Sequence, residues 1–341
     1  MKRKSVIFEA NLKILLAIQA TGNGHISRAR EVIPYLLKYG DLDLLVSGTQ
    51  SDVDLPYLIK YKKKGISYTF GKYGGIDYYD SVRRFRPFDF IKDIYNFPVD
   101  DYDLIINDFE PITAWACKLK KKKCVAFSHQ AAFLSKNTPR ASDIDQFAEY
   151  LFKYYAPCTH AVGLHFESYD SFIRTPIIRS EIRNLQPYVE QYITVYLPAY
   201  TDELLIAYFE KFPDFYWEVF SKHVKLPYRQ NNIKVIPINN SAYLKSLQGC
   251  TGLITGGGFE APAEATHLAK KVMVIPMFNQ YEQKCNAKAF EHLGGTMVTE
   301  VNHNFEHYLR NWLYNVKPLN IFFEDNTEKV IQEILIEHEL I

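Results

Sequence analysis

Short apolar runs alternate with helical patterns along the whole chain. In the first half, this pattern predicts strands over residues 13–18, 42–47, 66–70, 104–107, 125–128 and 161–164. A second series of strands is predicted over residues 192–197, 215–220, 233–236, 253–255 and 272–275. Between the first two strands, apolar residues from Ile26 onward recur at helical spacing, and Gly40 is expected to end that helix. Such alternation is typical of parallel βαβ units, so we predict an α/β fold of doubly wound sheets.

The chain is long enough for two domains, each with its own core. It has 341 residues, and its two series of strands are separated by a junction predicted around residues 177–187. The predicted divisions are a first domain over 1–186, a second over 187–318 and a C-terminal helix within 319–341. The apolar residues of that last helix share one face, so we expect it to pack back on the domains.

Composition and charge fit a globular protein and exclude several other classes. Apolar residues make up 47% and charged residues 23% of the chain, which excludes wholesale disorder. The formal net charge is +1, so no overall field attracts nucleic acid. The five cysteines are scattered without a CxxC pair, which indicates apolar residues in a reducing compartment. Since Glu9, Asn11 and Lys13 interrupt the first apolar stretch, we predict no signal peptide or membrane span and expect a cytoplasmic protein.

A glycine turn late in the chain is the most informative chemical feature. The run 253–255 is predicted to be a buried strand, and Gly256, Gly257 and Gly258 lead from it into a helix that carries Glu264. Backbone N–H groups in such a turn, together with the helix dipole, favour a phosphate. Glu264 lies roughly one and a half turns into the helix, where its carboxylate can accept hydrogen bonds from two vicinal hydroxyls such as those of a ribose. Phosphate and diol together indicate a nucleotide.

Another glycine loop follows the first predicted strand. Gly22 and Gly24 form a G-x-G, but a dinucleotide-binding fold would place a third glycine where the chain has Ser27. The acidic residue expected at the end of the second strand is also missing, which makes NAD binding the weaker interpretation. The loop is still a candidate site, because ligands of open parallel sheets bind at the carboxyl ends of strands.

His25 in this loop is the candidate general base. A positioned imidazole can take a proton from a hydroxyl nucleophile, and it works better when a carboxylate orients its other nitrogen. Asp108 follows the strand predicted over 104–107 and could supply this carboxylate, with Glu110 as a nearby rival. The alternative is that His25 only caps its helix or bonds a loop carbonyl.

Other polar residues are less informative. His129 follows the strand at 125–128 and could line the acceptor side of a cleft or be an ordinary loop histidine. The chain has Asp-x-Asp pairs, but they precede strands or lack further ligands, so we predict solvated acids and no metal site. Residues 57–94 combine basic and aromatic side chains, which could contact an anionic lipid surface, a lipid-linked acceptor or a glycan, or could fold inward.

The chain resembles the GT-B glycosyltransferases, in particular the UDP-glycosyltransferases and the peptidoglycan N-acetylglucosaminyltransferase. The resemblance rests on the loop at 22–28, GNGHISR, and on the late segment at 281–287, YEQKCNA. A little-studied bacterial and archaeal branch carries very similar motifs, and the similarity extends over residues 13–295. The resemblance implies a GT-B fold, in which two Rossmann-like domains have parallel sheets facing a cleft between them.

The resemblance also implies a role for each candidate residue. The glycine turn would hold the donor diphosphate, Glu264 would bind the ribose, and Glu282 with Gln283 would bind the hydroxyls of the donor sugar. The backbone near Ile236 would meet the nucleobase. On the other side of the cleft, His25 would be the general base and Asp108 its acidic partner, with Gly24 beside the donor. UDP-glycosyltransferases often carry a histidine where this chain has Gly256, so one diphosphate contact differs.

The activity implied is an inverting transfer of a sugar from a nucleoside diphosphate, with UDP expected, to a hydroxyl acceptor. No cofactor or metal is expected to take part, and no nucleic acid is expected as a partner. The acceptor could be a glycan, a small molecule or a lipid-linked intermediate, and residues 57–94 could contact the inner face of the membrane. Two alternatives of the same architecture stay open, a nucleotide-sugar epimerase and a non-catalytic nucleotide-sugar binding protein. The epimerase would need a fuller set of acid–base residues, and the binding protein would lack the base that His25 supplies.

Overall fold

A computed structural model of the chain describes residues 12–20, 23–48, 55–65, 69–70, 76–77 and 86–341. Within these ranges, two large sheets follow one another along the chain. The first is built from residues up to Arg174 and the second begins at Tyr192. The segment between them contains the short helix Ser180–Arg183.

The first sheet has seven parallel strands. In chain order they are β1 (Leu12–Gln19), β2 (Gly40–Ser47), β3 (Tyr61–Lys63), β6 (Leu104–Asp108), β7 (Val125–Ser128), β8 (His160–Leu164) and β9 (Ile173–Arg174). Their spatial order is β3-β2-β1-β6-β7-β8-β9. The direction of winding therefore reverses between β1 and β6, which is the crevice where ligands of such sheets bind. The short strands β4 (Thr69–Phe70) and β5 (Ile76–Asp77) form a separate antiparallel pair.

Helices of the first half lie beside this sheet. They are α1 (Asn23–Leu36), α2 (Pro87–Asn96), α3 (Pro111–Lys120), α4 (Gln146–Tyr154) and α5 (Ser180–Arg183), with 3₁₀ turns at Val99–Asp101 and Gln130–Leu134. The first helix begins within the predicted glycine loop, since Gly24 already belongs to it, and it buries Ile26, Ala29 and Ile33. Its end differs from the prediction, because α1 stops at Leu36 and Gly40 begins β2. A Cβ on Gly40 would lie 1.9 Å from the Leu12 carbonyl oxygen, so close strand pairing explains this glycine.

The second sheet repeats the same plan. Its strands are β10 (Tyr192–Tyr196), β11 (Tyr216–Ser221), β12 (Tyr228–Gln230), β13 (Ile233–Pro237), β14 (Gly252–Gly256), β15 (Lys271–Ile275) and β16 (Thr296–Met297). Their order is β12-β13-β11-β10-β14-β15-β16, and only β12 runs antiparallel. Winding reverses between β10 and β14, so the turn that follows β14 also lies at a ligand-binding position. Its helices are α6 (Asp202–Phe209), α7 (Asn240–Gly249), α8 (Glu260–His267), α9 (Tyr281–His292) and α10 (Phe305–Asn315).

The last helix, α11 (Thr327–Glu337), returns to the first half of the chain. Its buried residues Val330 and Leu335 belong to the same apolar cluster as Ile33 of α1. Lys38 and Arg174 of the first half pair with two of its glutamates, Glu328 and Glu333. That cluster also continues into the second half through α8 and α9. The two halves therefore share a continuous apolar contact.

Most of the predicted strands are present, and the fold is the predicted one of two Rossmann-like domains with largely parallel sheets. The strand predicted over 66–70 is different. Residues 66–68 lie outside the described residues, and Thr69–Phe70 belongs to the small antiparallel pair instead of the main sheet. No helix in the described part of the chain is both long enough and apolar enough to span a bilayer.

Candidate active site

His25 and Asp108 meet at the crevice of the first sheet. His25 lies in the first turn of α1, directly after β1, and Asp108 is the last residue of β6. Because β1 and β6 pair in parallel with Ile18 opposite Asp108, both side chains emerge at the same edge. Nδ1 of His25 lies 2.8 Å from Oδ1 of Asp108, and both residues are buried. With Nδ1 held by the carboxylate, Nε2 is the ring nitrogen left to act as a base.

Arg28 completes a charged cluster with these two residues. Its Nη2 lies 2.7 Å from Oδ1 of Asp108, and its Nε donates to Oδ2 at 3.2 Å. Burial alone would raise the pKa of the Asp108 carboxyl, but the charges of Arg28 and His25 and their hydrogen bonds more than offset it. The pKa of Asp108 therefore lies below its ordinary value, and the carboxylate is charged at neutral pH.

Glu110, the rival partner of His25, has a different place. It is the N-cap of α3, and its carboxylate accepts hydrogen bonds from the backbone N–H groups of Ile112 and Thr113 at 2.9 and 2.7 Å. Between the two acids, Phe109 has a φ of 57°, an uncommon value for a residue with a side chain. This turn separates the directions of Asp108 and Glu110, so only Asp108 reaches His25.

The glycine turn of the second half connects β14 to α8. Its middle residue, Gly257, is in close contact with α9, since a Cβ there would lie 2.5 Å from the carbonyl oxygen of Gln283. A Cβ on Gly258, in contrast, would have no atom within 4 Å. The turn thus has one tightly packed glycine and one that faces open space beside the N-terminus of α8.

Gln283 supports this turn from α9. Its Oε1 accepts hydrogen bonds from the backbone N–H of Gly257 at 3.1 Å and of Met277 at 3.0 Å. Asn286 adds a bond from its side-chain amide to the Gly257 carbonyl at 3.2 Å. The resemblance implies that Gln283 binds the donor sugar. In the structure, however, its side-chain oxygen accepts hydrogen bonds from two backbone N–H groups. Glu282, its neighbour, keeps a partly exposed side chain and accepts a hydrogen bond from Gln130 of the first half at 3.1 Å.

Glu264 lies on α8 and is held by an arginine that sequence reasoning did not identify. Nε and Nη2 of Arg179 lie 2.5 and 2.8 Å from the two carboxylate oxygens of Glu264. Such a side-on pair fixes the orientation of the carboxylate. Beside Arg179 is a cavity of about 150 Å³. Its lining comprises Ser27, Arg30, Glu31, Pro56, Tyr57, Arg179, Ser180 and Glu181.

His129 does not line the open acceptor side in this structure. It is 2% exposed, with Nδ1 at 2.9 Å from the Leu164 carbonyl and Nε2 at 2.7 Å from Oδ1 of Asn286. Its ring also stacks on Phe259, with centroids 4.2 Å apart. These contacts join the first half of the chain to the residues around the glycine turn. His129 is therefore a buried contact between the domains, which corrects its placement as an acceptor-side residue.

The remaining predicted residues lie where the two sheets open. Ile236 is near the end of β13, and the next residues, Pro237 and Ile238, lead to the N-cap of α7. Gly24 faces Glu260, and a Cβ there would lie 2.6 Å from Oε2 of that residue. Gly22 of the first loop lies outside the described residues. Among the residues that the structure describes, no cluster of three or more His, Cys, Asp or Glu side chains could hold a metal ion.

Sequence reasoning missed Arg28, Arg179 and Glu260. Two of them had a detectable signal, because Arg28 follows His25 by three residues and Glu260 precedes Glu264 by four. At these spacings, side chains share one face of a helix. Arg179 had no such signal, since its partner is far away along the chain.

Comparisons with solved structures agree with this architecture. The glycosyltransferase of kitacinnamycin has a TM-score of 0.58 at 12% identity, with 96% of each chain covered. A UDP-glucosyltransferase from Polygonum tinctorium has a TM-score of 0.59 at 13% identity, and the match covers 97% of this chain and 94% of that chain. MurG from Acinetobacter baumannii has a TM-score of 0.54 at 12% identity, and the match covers 95% of this chain and 99% of that chain. No curated protein matches the chain in sequence.

Two Rossmann-like domains with largely parallel sheets make up the GT-B fold, which these solved structures share. The family model described as Glycosyl transferase family 1 matches residues 88–317, more than half of the chain. The chain belongs to this family, and it is a glycosyltransferase that uses a nucleotide-sugar.

Proposed function

We propose that this glycosyltransferase moves a sugar from a UDP-sugar to a hydroxyl acceptor, with inversion and without a metal ion. The observation that carries the proposal is the pairing of His25 with Asp108 opposite the glycine turn and α8. In this proposal, a base and a phosphate site face each other across one cleft. UDP is proposed as the nucleotide because the resemblance is to UDP-glycosyltransferases and a structurally similar protein is a UDP-glucosyltransferase.

The proposed reaction is a single displacement at the anomeric carbon. The acceptor oxygen attacks this carbon while Nε2 of His25 takes the hydroxyl proton, and Asp108 stabilises the imidazolium that forms. The bond between the anomeric carbon and the phosphate oxygen breaks, and its electron pair remains on the leaving diphosphate. Backbone N–H groups of the glycine turn and the N-terminus of α8 stabilise this charge. Attack opposite to the leaving group inverts the anomeric configuration.

The donor is proposed to bind along α8 and α9. Glu264 accepts the ribose hydroxyls while Arg179 keeps its carboxylate oriented, and the nearby cavity provides space on that side. Glu282 is better suited than Gln283 to bind the donor sugar, because Oε1 of Gln283 already accepts from two backbone groups. The segment at Ile236 is proposed to meet the nucleobase through its backbone.

The test is a thermal-shift screen with UDP-, GDP-, dTDP- and CDP-sugars and with NAD, followed by hydrolysis of the best binder. We expect a UDP-sugar to raise the unfolding temperature, because a ligand that binds only the folded state stabilises it. Proton NMR of the first released sugar should show the anomer opposite to that of the donor. A shift with NAD alone would contradict the function, and retention of configuration would contradict the mechanism.

The first domain is also proposed to contact an anionic membrane surface through α2. Phe88, Ile91 and Tyr95 are 87%, 50% and 61% exposed and lie on one face of this helix. Lys92 of α2 and Lys62 of β3 are also exposed, and β3 lies beside α2 because Lys63 pairs with Asp93 at 2.6 Å. An apolar stripe with basic neighbours suits the interface of a bilayer with negative lipids. Such a contact would bring the cleft to a lipid-linked acceptor.

Vesicle co-sedimentation tests this contact. We expect the protein to sediment with vesicles of phosphatidylcholine and phosphatidylglycerol, and less with phosphatidylcholine alone. The double variant F88S/I91S should remain in the supernatant, whereas L226S, at a residue that is 78% exposed in the second domain, should behave as wild type. Equal sedimentation of wild type and F88S/I91S would contradict the proposed surface.

A further inference from the structure

Arg28 and Glu260 form an ion pair across the cleft. Nη1 of Arg28 lies 2.5 Å from Oε1 of Glu260, which belongs to the second domain. The Arg28 side chain is only 4% exposed, whereas that of Glu260 is 27% exposed. Since Nε and Nη2 of Arg28 donate to Asp108, Nη1 is the part of the guanidinium that faces the second domain. Arg28 therefore uses different nitrogen atoms for the ion pair with Glu260 and for the hydrogen bonds to Asp108.

Glu260 occupies a place that suits an anionic ligand. It is the first residue of α8, directly beyond the glycine turn, where the helix dipole favours negative charge. Its Oε2 would lie 2.6 Å from a Cβ on Gly24, so the carboxylate fills the gap between the two glycine segments. The space at Gly258 beside it is open. A protein carboxylate thus lies between a buried cation and a helix N-terminus.

Two anions cannot share this place without strong repulsion. Like charges in contact near a protein surface repel each other strongly, because the effective dielectric constant there is well below that of water. A diphosphate at the N-terminus of α8 would therefore displace the Glu260 carboxylate. The side chain can turn toward solvent because it is already partly exposed. Arg28 cannot follow, since Asp108 holds it on the other side.

We propose that Arg28 binds the donor diphosphate through Nη1, and that Glu260 takes the place of the diphosphate while the cleft is empty. The inference rests on the proposed function and adds to it a catalytic residue and an internal competitor of the donor. During transfer, the anomeric carbon–oxygen bond breaks and its electron pair stays on the diphosphate oxygen. Nη1 of Arg28 donates a hydrogen bond to this anion, and the acceptor proton goes to His25. The arginine stays protonated throughout.

Calorimetric titration with inorganic pyrophosphate tests this exchange without reference to the nucleobase. We expect E260Q to bind pyrophosphate about tenfold more tightly than wild type, because the variant lacks the competing charge. The matched control is D143N, which removes the same charge from another ion pair between the domains, Asp143 with Lys284. D143N should stay within about twofold of wild type. Equal tightening in both variants would show a general charge effect and overturn the proposal.

Arg28 is tested in the same titration. We expect R28K to bind pyrophosphate at least about tenfold more weakly than wild type, and E260Q to improve affinity less in the R28K background than in wild type. R28K retains a positive charge beside Asp108, and circular dichroism checks that it folds. If E260Q binds no more tightly than wild type, the proposal is wrong, whatever R28K does. A nucleotide-sugar that still stabilises wild type in the thermal-shift screen would then leave the proposed function standing.

Discussion

At the scale of single residues, the His25–Asp108 pair is the centre of the proposed chemistry. Asp108 ends β6, and His25 lies in the first turn of α1, the helix that follows the adjacent strand β1. Burial keeps water from competing for their hydrogen bond. Arg28 keeps the carboxylate charged, which in turn keeps Nδ1 of His25 as the donor. In the proposed reaction, the pair therefore needs no rearrangement before Nε2 takes the acceptor proton.

Replacing His25 with alanine should reduce turnover far more than donor binding. General-base catalysis typically contributes a factor of roughly 10²–10⁴, so H25A is expected to lose about this much in the hydrolysis rate of the best donor. Its affinity for the donor should stay within about threefold, because the base acts only in the transition state. The exposed residue His303 provides the control H303A, which should be fully active. Normal turnover in H25A would contradict the assignment of the base.

Asp108 leads to a prediction about pH. Its pKa is lower in the folded chain than its ordinary value of about 3.9. A carboxylate of this kind stabilises the fold above the ordinary pKa, and this contribution is lost as pH falls through the lowered value. D108N should therefore unfold at a lower temperature than wild type at pH 7, and the difference should shrink below about pH 4. Thermal unfolding of both proteins from pH 7 to pH 3.5 measures this difference in unfolding temperature. A difference that grows as pH falls would contradict the charged state of Asp108.

Sequence reasoning brought His25 and Asp108 together but could not choose between Asp108 and Glu110. Both acids follow the same strand, and the choice depends on the turn at Phe109 and on the cap of α3. Neither feature has a clear sequence signal. His129 shows a different limit, because its burial arises from contact with Asn286 and Phe259 of the other domain. A pattern along the chain carries no information about such a contact.

At the scale of elements, the positions of the strands follow directly from the apolar runs. Central strands such as β1 and β14 are buried on both faces, so their sequences are mostly apolar. The short edge strands β3, β9, β12 and β16 have only two or three residues, too few for a recognisable pattern. Partner choice at these edges is set by tertiary packing.

The glycine turn before α8 allows a matched test with two neighbouring glycines. A Cβ on Gly257 would meet the backbone of Gln283 at 2.5 Å, so G257A should push α9 away from the turn. We expect a lower unfolding temperature, with a cost of about 1–3 kcal/mol, and weaker donor binding. G258A should unfold like wild type, because no atom lies near that position. Thermal unfolding of both variants tests this difference. An equal decrease in unfolding temperature in G257A and G258A would contradict the packing described for the turn.

At the scale of the whole molecule, contacts between the domains hold the candidate residues together. Arg28 with Glu260, Gln130 with Glu282 and His129 with Asn286 each join the first domain to the second. The partners of each pair are more than a hundred positions apart along the chain, and those of the first pair are 232 positions apart. The two-domain architecture could be predicted from the alternation of apolar runs and helical patterns. Which residues pair across the two domains could not be predicted in this way. Their positions depend on how two independently wound sheets face each other.

In the proposed reaction, the second domain binds a nucleoside diphosphate at α8 while the first domain supplies the base. Calorimetric titration of UDP into wild type, H25A and E264A tests both parts at once. We predict one site in wild type, similar affinity in H25A and at least about tenfold weaker binding in E264A. Undiminished binding of UDP by E264A, or loss of binding in a folded H25A, would contradict this division of roles.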